Sequence, residues 1–239
     1  VFSVAIATVL FPSLARFASR NDLDGFRATT ELGLRQISFL LVPASVVTAV
    51  LAEPVTRLIY QRGAFTPDQT PIVAACLAAL TLGLTFNGTM LMLNRSFFSL
   101  QENWVPTLVA LANLFVNAVL DAAFSPLGIW GIPLATSIVN IAGTAALLVL
   151  LRRRLDRIGF AEVAASFARV LVASAVAGAV AYGVWRPLDD AAGRSLGGQL
   201  ASLVPALVAA VVAYLAAARA LRVREMQALL SLRGRFRRG

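Results

Sequence analysis

The sequence has no histidine and no lysine, and only one cysteine, among its 239 residues. Without histidine, the chain has no His-based triad, no His metal site and no His proton shuttle. Cys76 has no partner for an intrachain disulfide and falls inside an apolar run, where a small buried hydrophobe is the expected role. Charged residues make up 14% of the chain, against about 25% in an average soluble domain. This composition argues against an ordinary soluble protein.

Long apolar runs dominate what is present. Hydrophobic residues make up 59% of the chain and the mean hydropathy is +0.78. Short polar breaks separate the runs, so the sequence predicts an all-α polytopic transmembrane helix bundle. The first run, Val1 to Ala15, is too short to cross a bilayer at the rise of an α-helix. We therefore expect it to be the end of a truncated helix, and the chain to be a C-terminal part of a longer protein.

Six further runs are long enough to be whole spans. Asn21 or Asp22 is expected to cap an interfacial helix before the first of them. Pro43 lies well inside that span, where it favours a kink. The predicted spans are Ile37–Ala52 with an extension through Tyr60, Ile72–Leu93, Trp104–Phe124, Ile129–Leu151, about Val163–Val184 and about Leu200–Leu221.

The distribution of arginine predicts the orientation. All 21 basic residues are arginines. If the first run ends in the cytoplasm, sixteen arginines fall in cytoplasmic segments, and Arg169 lies just inside a span near that face. The outer loops hold only the remaining four, which are Arg57, Arg62, Arg186 and Arg194. This asymmetry follows the positive-inside rule, places the C-terminus in the cytoplasm and removes the need for a nucleic-acid partner. The basic tail is expected to be a solvated stop signal that can also touch membrane lipids.

Asp121 is a carboxylate inside a membrane-length run, and such charges are functional candidates by default. Asn113, Asn117 and Asp121 are four residues apart, so a helix places them on one face. Oxygen ligands of this kind suit a hard cation such as sodium. The alternative is that Asp121, about one turn from Ser125, snorkels to the outer water or bonds locally.

Other polar positions have two interpretations each. Thr85, Asn87 and Thr89 are candidates to line a central cavity together with Asn113, while helix–helix hydrogen bonding explains them equally simply. Asp189 and Asp190 resemble a catalytic carboxylate pair, but without partners we expect a solvated turn. Gly63 is expected to form a tight turn and not a phosphate cradle, because no strand precedes it.

Several stretches resemble the MurJ/MviN family of lipid II flippases, which belongs to the MATE-like multidrug/oligosaccharidyl-lipid/polysaccharide (MOP) exporter superfamily. The resemblance covers residues 1 to about 157. It is carried by ATVLFPSLARFAS, GLRQISFLLVPASV, LAEPVTRLIYQRGAFTPDQT, NRSFFSLQENWVPT and GIWGIPLATSIVNIAGTAALLVLLRRR.

The resemblance implies a domain organisation. Residues 1–157 would be a partial C-terminal lobe with one truncated and four whole transmembrane helices. Residues 158–221 would be two additional transmembrane helices, and residues 222–239 a basic cytoplasmic tail. The N-terminal lobe, absent here, would be the main partner, and the arginines that grip the pyrophosphate of lipid II in this family lie mainly there. We therefore assign no substrate-binding arginine in this chain.

The resemblance also implies a cation site and a function. Some relatives are similar in carrying a sodium site on the corresponding helix pair, which matches Asn117 and Asp121 on one helix and Ile132 and Thr136 on the next. No other cofactor is expected. The implied function is not enzymatic: it is the flipping of lipid II, a peptidoglycan precursor, across the bacterial cytoplasmic (inner) membrane by alternating access, driven by membrane potential or sodium. Export of another lipid-linked sugar or a drug, and a non-transporting scaffold for the cell-wall machinery, remain alternatives.

Overall fold

The computed structural model describes residues 2–61, 65–155 and 160–226, and the described part is built of α-helices. The chain runs through α1 (Phe2–Ser19), α2 (Leu23–Val50), α3 (Ala52–Tyr60), a 3-10 turn (Pro67–Gln69), α4 (Thr70–Ser99), α5 (Trp104–Phe124), a second 3-10 turn (Ser125–Leu127), α6 (Gly131–Leu155), α7 (Phe160–Ala192) and α8 (Leu196–Ala220). All except α3 are long and apolar enough to cross a membrane. The expectation that the first run is too short was wrong, because its helix continues past Ala15 to Ser19 and reaches membrane length. The predicted all-α multi-pass membrane fold is confirmed.

Two predicted boundaries are wrong in an informative way. The expected interfacial helix and the span after it form one helix, α2, because no residue between Asp22 and Val50 ends the helix and Pro43 is tolerated within it. The break comes at Leu51, and α3 follows as a separate short helix. Similarly, α7 continues through Pro187 to Ala192, so the predicted outer loop is only a few residues long.

The ends of several helices follow local capping chemistry. Asp22 caps α2 as expected, since the backbone N–H of Gly25 donates to its carboxylate at 2.9 Å. Ser195 caps α8 in the same way through Gly198 at 3.1 Å. At the far end of α6, the guanidinium of Arg27 donates to the carbonyl of Leu155, one of the carbonyls that a helix end leaves without a partner. These bonds fix where the spans begin and end.

The described residues divide into two compact units. Unit 1 comprises residues 1–41 and 79–164, and unit 2 comprises residues 42–78 and 165–239. The boundaries fall inside α2, α4 and α7, so these helices contribute to both units. The units reflect contacts within this chain alone, and the lobe boundaries inferred from the family resemblance stay a prediction. The predicted tail from residue 227 onward and the turn at Gly63 lie outside the described residues.

Each unit has its own apolar core. Large side chains fill that of unit 1, and its fully buried members include Leu14, Phe26, Ile37, Met92, Phe97, Leu147 and Leu151. Unit 2 uses smaller residues packed around Leu51 and Trp185. Ala173, Ala177 and Ala181 lie four residues apart on α7 and are completely buried, and such small residues allow neighbouring helices to approach closely.

Candidate functional site

The polar face of α5 is turned toward the interior of unit 1. Asn113, Asn117 and Asp121 are all half-buried, whereas Leu114 and Phe115 between them are about 70% exposed. An exposed apolar side and an enclosed polar side are what a lipid-facing helix with a functional interior face requires. The predicted common face is therefore present.

Asp121 is the least satisfied member of this face. Its Oδ1 atom is shielded from solvent and accepts no hydrogen bond from the described residues. An occluded carboxylate oxygen without a donor is costly, and a cation would relieve that cost.

The two α6 residues of the predicted cation set meet each other. The hydroxyl of Thr136 donates to the carbonyl of Ile132 at 3.2 Å. Because the hydroxyl proton is used in this bond, the lone pairs of Thr136 Oγ1 point elsewhere and stay available.

The turn between α5 and α6 brings the polar ends of both helices into one hairpin. Ser125–Leu127 forms a single 3-10 turn, and Gly128 then adopts a φ of 92°, a conformation that favours glycine. The two helices pack along each other within unit 1. Asn117 and Asp121 on the last turns of α5 therefore share one end of the hairpin with Ile132 and Thr136 on the first turns of α6. The four offer carboxylate, amide, carbonyl and hydroxyl oxygens, the donor set that a hard monovalent cation prefers.

The match to known proteins rests on most of the chain. The model of the family described as lipid II flippase MurJ matches residues 1–188. The chain belongs to the lipid II flippase MurJ family.

Individual MurJ relatives agree with this assignment. The lipid II flippase MurJ of Thermosipho africanus is 31% identical over 152 residues, which cover 62% of this chain and 30% of that protein. A Bdellovibrio bacteriovorus protein described as "Probable lipid II flippase MurJ" is 26% identical over 215 residues, 90% of this chain and 40% of that protein. A solved structure of lipid II flippase MurJ in an inward closed conformation matches with a TM-score of 0.73 at 25% identity, covering 91% of this chain and 42% of that one. The chain spans about a third of the length of the curated MurJ relatives it matches.

The four predicted cavity-lining residues fall into different environments. Thr85 and Thr89 are buried, and the Thr89 hydroxyl donates to the Thr85 carbonyl at 2.9 Å within α4. Asn87 is exposed on another side of the same helix. Asn113 donates to the sulfur of Met90 at 3.9 Å and packs closely against Gly143. The structure thus places Asn113 among α4, α5 and α6, and it does not gather the four residues at one point.

The sequence did not predict a set of polar contacts between α4 and α6, made by Ser137 and Thr144, which we call the polar seam. Ser137 on α6 donates its hydroxyl proton to the Ala79 carbonyl at 2.6 Å and accepts from the Gly83 N–H at 3.0 Å. These two α4 groups are normally partners in an α-helix, so the Ser137 hydroxyl enters the backbone ladder of its neighbour. Thr144 adds a bond to the Phe86 carbonyl at 2.8 Å. The only hint in the sequence was the presence of small residues and hydroxyl residues inside the apolar runs. Such residues do not identify the helix that they face.

Replacing Gly83 with alanine is expected to destabilise the protein, because its Cβ would lie 2.8 Å from both Cα and Oγ of Ser137. Backbone on both sides limits relaxation, so we expect a loss of about 1–3 kcal/mol. Thermal unfolding of the full-length protein in detergent measures it. Gly183→Ala on α7 is the matched control, since its added Cβ would meet nothing within 4 Å. Equal stability of the two variants would contradict the seam.

Proposed function

We propose that the full-length protein is a transporter that flips lipid II across the bacterial inner membrane, and that it makes or breaks no covalent bond. The observation that carries this proposal is the MurJ family match over residues 1–188, together with the seven spans. The names of the relatives refer to lipid II, the lipid-linked peptidoglycan precursor. We further propose alternating access about a midplane cavity shared with an N-terminal lobe.

The proposed orientation places the C-terminus in the cytoplasm. It is supported by the clustering of arginines near the ends of α1 and α6, since Arg152, Arg153 and Arg154 all fall in the last turn of α6. The opposite end of that hairpin, with Asp121, then faces the outer side. Membrane lipids surround the bundle, and lipid II is the transported partner.

We propose that sodium binds at Asn117, Asp121, Ile132 and Thr136 and is coupled to the transport cycle. The residues present fit this ion, because the Asp121 Oδ1 atom is enclosed without a donor and the Thr136 hydroxyl keeps its lone pairs free. Sodium would supply the positive charge that compensates Asp121 within the membrane. Membrane potential is the alternative driving force for the same cycle.

Depletion and complementation test the function. Cells that lose their native flippase are expected to accumulate lipid II on the inner leaflet and to lyse, and the full-length protein should restore lipid II to the outer leaflet. Rescue of growth while lipid II stays inside would indicate a scaffold. If the depleted cells keep a normal distribution of lipid II but retain a different lipid-linked sugar on the inner leaflet, the protein is an exporter of that sugar. The chain of residues 1–239 expressed alone should not rescue, because it provides only one side of the proposed cavity.

A further inference from the structure

Unit 1 contains a cavity of about 620 Å³ that the proposed transport cycle does not use. It lies where α1 ends, α2 begins and both α4 and α6 end. The residues that matter here are two aromatic and four polar lining residues, Phe11, Phe98, Ser19, Asn21, Gln101 and Arg154. The volume is within the range of about 300–1,000 Å³ that is typical of small-molecule sites.

The cavity has an apolar part and a polar part. Phe11 and Phe98 provide aromatic surface, and the guanidinium of Arg95 lies over the Phe11 ring at 5.5 Å from its centroid. Hydroxyl and amide side chains with Arg154 provide the polar part. A ligand with a polar head and the beginning of an apolar chain would satisfy both parts, whereas a purely polar ligand would leave the aromatic surface unused.

Arg154 supplies the charge of this cavity. Its side chain is 63% exposed, and it pairs with Glu102, which lies in the short connection between α4 and α5. The Glu102 side chain is 27% exposed. Because Arg154 itself is largely in solvent, water can replace this pairing and Arg154 can change partners at modest cost. A planar guanidinium binds a phosphate through two parallel hydrogen bonds, and Glu102 competes with the phosphate because it pairs with Nε of Arg154.

Two residues that line the cavity follow directly on helix C-termini. Asn21 and Gln101 have φ values of 53° and 62°, and both line the cavity. Both are the C′ residues of Schellman motifs: Asp22 N–H donates to Phe17 O at the end of α1, and Glu102 N–H donates to Phe97 O at the end of α4. The cavity is therefore bordered by two helix C-termini.

We propose that this cavity binds the phosphate headgroup of an anionic phospholipid at the cytoplasmic face, with Arg154 on the phosphate and Phe11 and Phe98 against the first part of an acyl chain. The site lies at the ends of four helices, where headgroups sit, and basic pockets between transmembrane helices on the cytoplasmic side suit such lipids. The proposal uses the proposed orientation but does not depend on lipid II being the substrate.

Lipid binding to the full-length protein tests the proposal. Native mass spectrometry with phosphatidylglycerol, and with phosphatidylcholine as the neutral comparison, is the measurement. Arg154→Gln is expected to weaken phosphatidylglycerol binding about tenfold, as the loss of a charge-assisted pair does. Glu102→Gln is expected to strengthen it, because Arg154 loses its competitor. Arg153→Gln, one residue away and exposed, removes the same charge and should have little effect.

Other outcomes have defined meanings. Equal weakening by Arg154→Gln and Arg153→Gln would overturn the site in favour of diffuse attraction. Displacement of the lipid by inorganic phosphate at similar concentration would overturn the proposal of a lipid ligand and identify free phosphate as the ligand. Ala15→Leu, which fills the apolar part without changing charge, should also weaken binding, and unaltered binding would contradict the proposed acyl contact. Lipid II transport is measured separately, so failure of either proposal is recognisable.

Discussion

Replacing Asp121 with asparagine is expected to abolish the sodium dependence of lipid II transport by the full-length protein. The substitution keeps the shape of the side chain and removes its charge. Asp121 is the only carboxylate among the four proposed ligands, and neutral oxygens alone hold a monovalent cation weakly inside a bundle. We expect the apparent sodium affinity to fall at least tenfold, which corresponds to about 1.4 kcal/mol.

Transport measured in proteoliposomes with sodium or potassium outside checks this expectation. Asp68→Asn is the matched control: Asp68 is exposed in the 3-10 turn before α4, so its loss changes the net charge equally without touching the site. Thr136→Val should weaken sodium binding by a smaller factor than Asp121→Asn does. Thr136→Ser keeps the hydroxyl, so it should bind sodium as the unmodified protein does. Sodium dependence that survives Asp121→Asn would refute the cation site and favour membrane potential as the driving force.

The helical bundle could be predicted from the sequence because hydropathy and length are local properties. The seven runs stand out against their polar breaks, and all correspond to membrane-length helices. The exact ends of the helices were harder to predict from the sequence. No residue between Trp185 and Ala192 stops α7, because Pro187 removes one N–H but its neighbours are compatible with a helix. The helix ends only before Gly193, whose φ is 72°. Composition near Asp189 predicted a loop, and the helix instead carries that residue into unit 2.

The candidate site could be predicted only in part. The four-residue spacing of Asn117 and Asp121 is visible in the sequence, and both lie on an enclosed face as expected. Their relation to Ile132 and Thr136 came from family resemblance, since a carbonyl ligand has no sequence signature. The insertion of Ser137 into the α4 backbone could not be predicted, because a lone serine in an apolar run does not reveal which helix it meets.

A buried ion pair between Arg57 and Asp189 corrects the expectation that Asp189 belongs to a solvated turn. The Arg57 side chain is 4% exposed and that of Asp189 is 14% exposed, and the guanidinium of Arg57 bonds Oδ1 of Asp189. The two residues lie 132 positions apart, so no local pattern links them. The pair fastens the short helix α3 to the last turns of α7 within unit 2.

Removing one member of this pair is expected to be strongly destabilising. Asp189→Ala leaves the guanidinium of Arg57 buried without its partner, and the Nε atom of Arg57 already has no acceptor among the described residues. Breaking one side of a buried pair costs about 3–5 kcal/mol. The neighbouring Asp190→Ala is the matched control. Asp190 lies 3.7 Å from Arg186, and both side chains are at least 60% exposed, so its loss should cost less than about 1 kcal/mol.

Thermal or denaturant unfolding of the full-length protein in detergent micelles measures all of these variants. The double variant Arg57→Ala with Asp189→Ala removes both charges, so it should be more stable than the sum of the two single effects implies. That non-additivity distinguishes a charge pair from two independent packing contacts. If Asp189→Ala and Asp190→Ala unfold alike, or if the single effects simply add, the pair does not hold α3 against α7, and the contact of α3 with α8 becomes the main support of that helix.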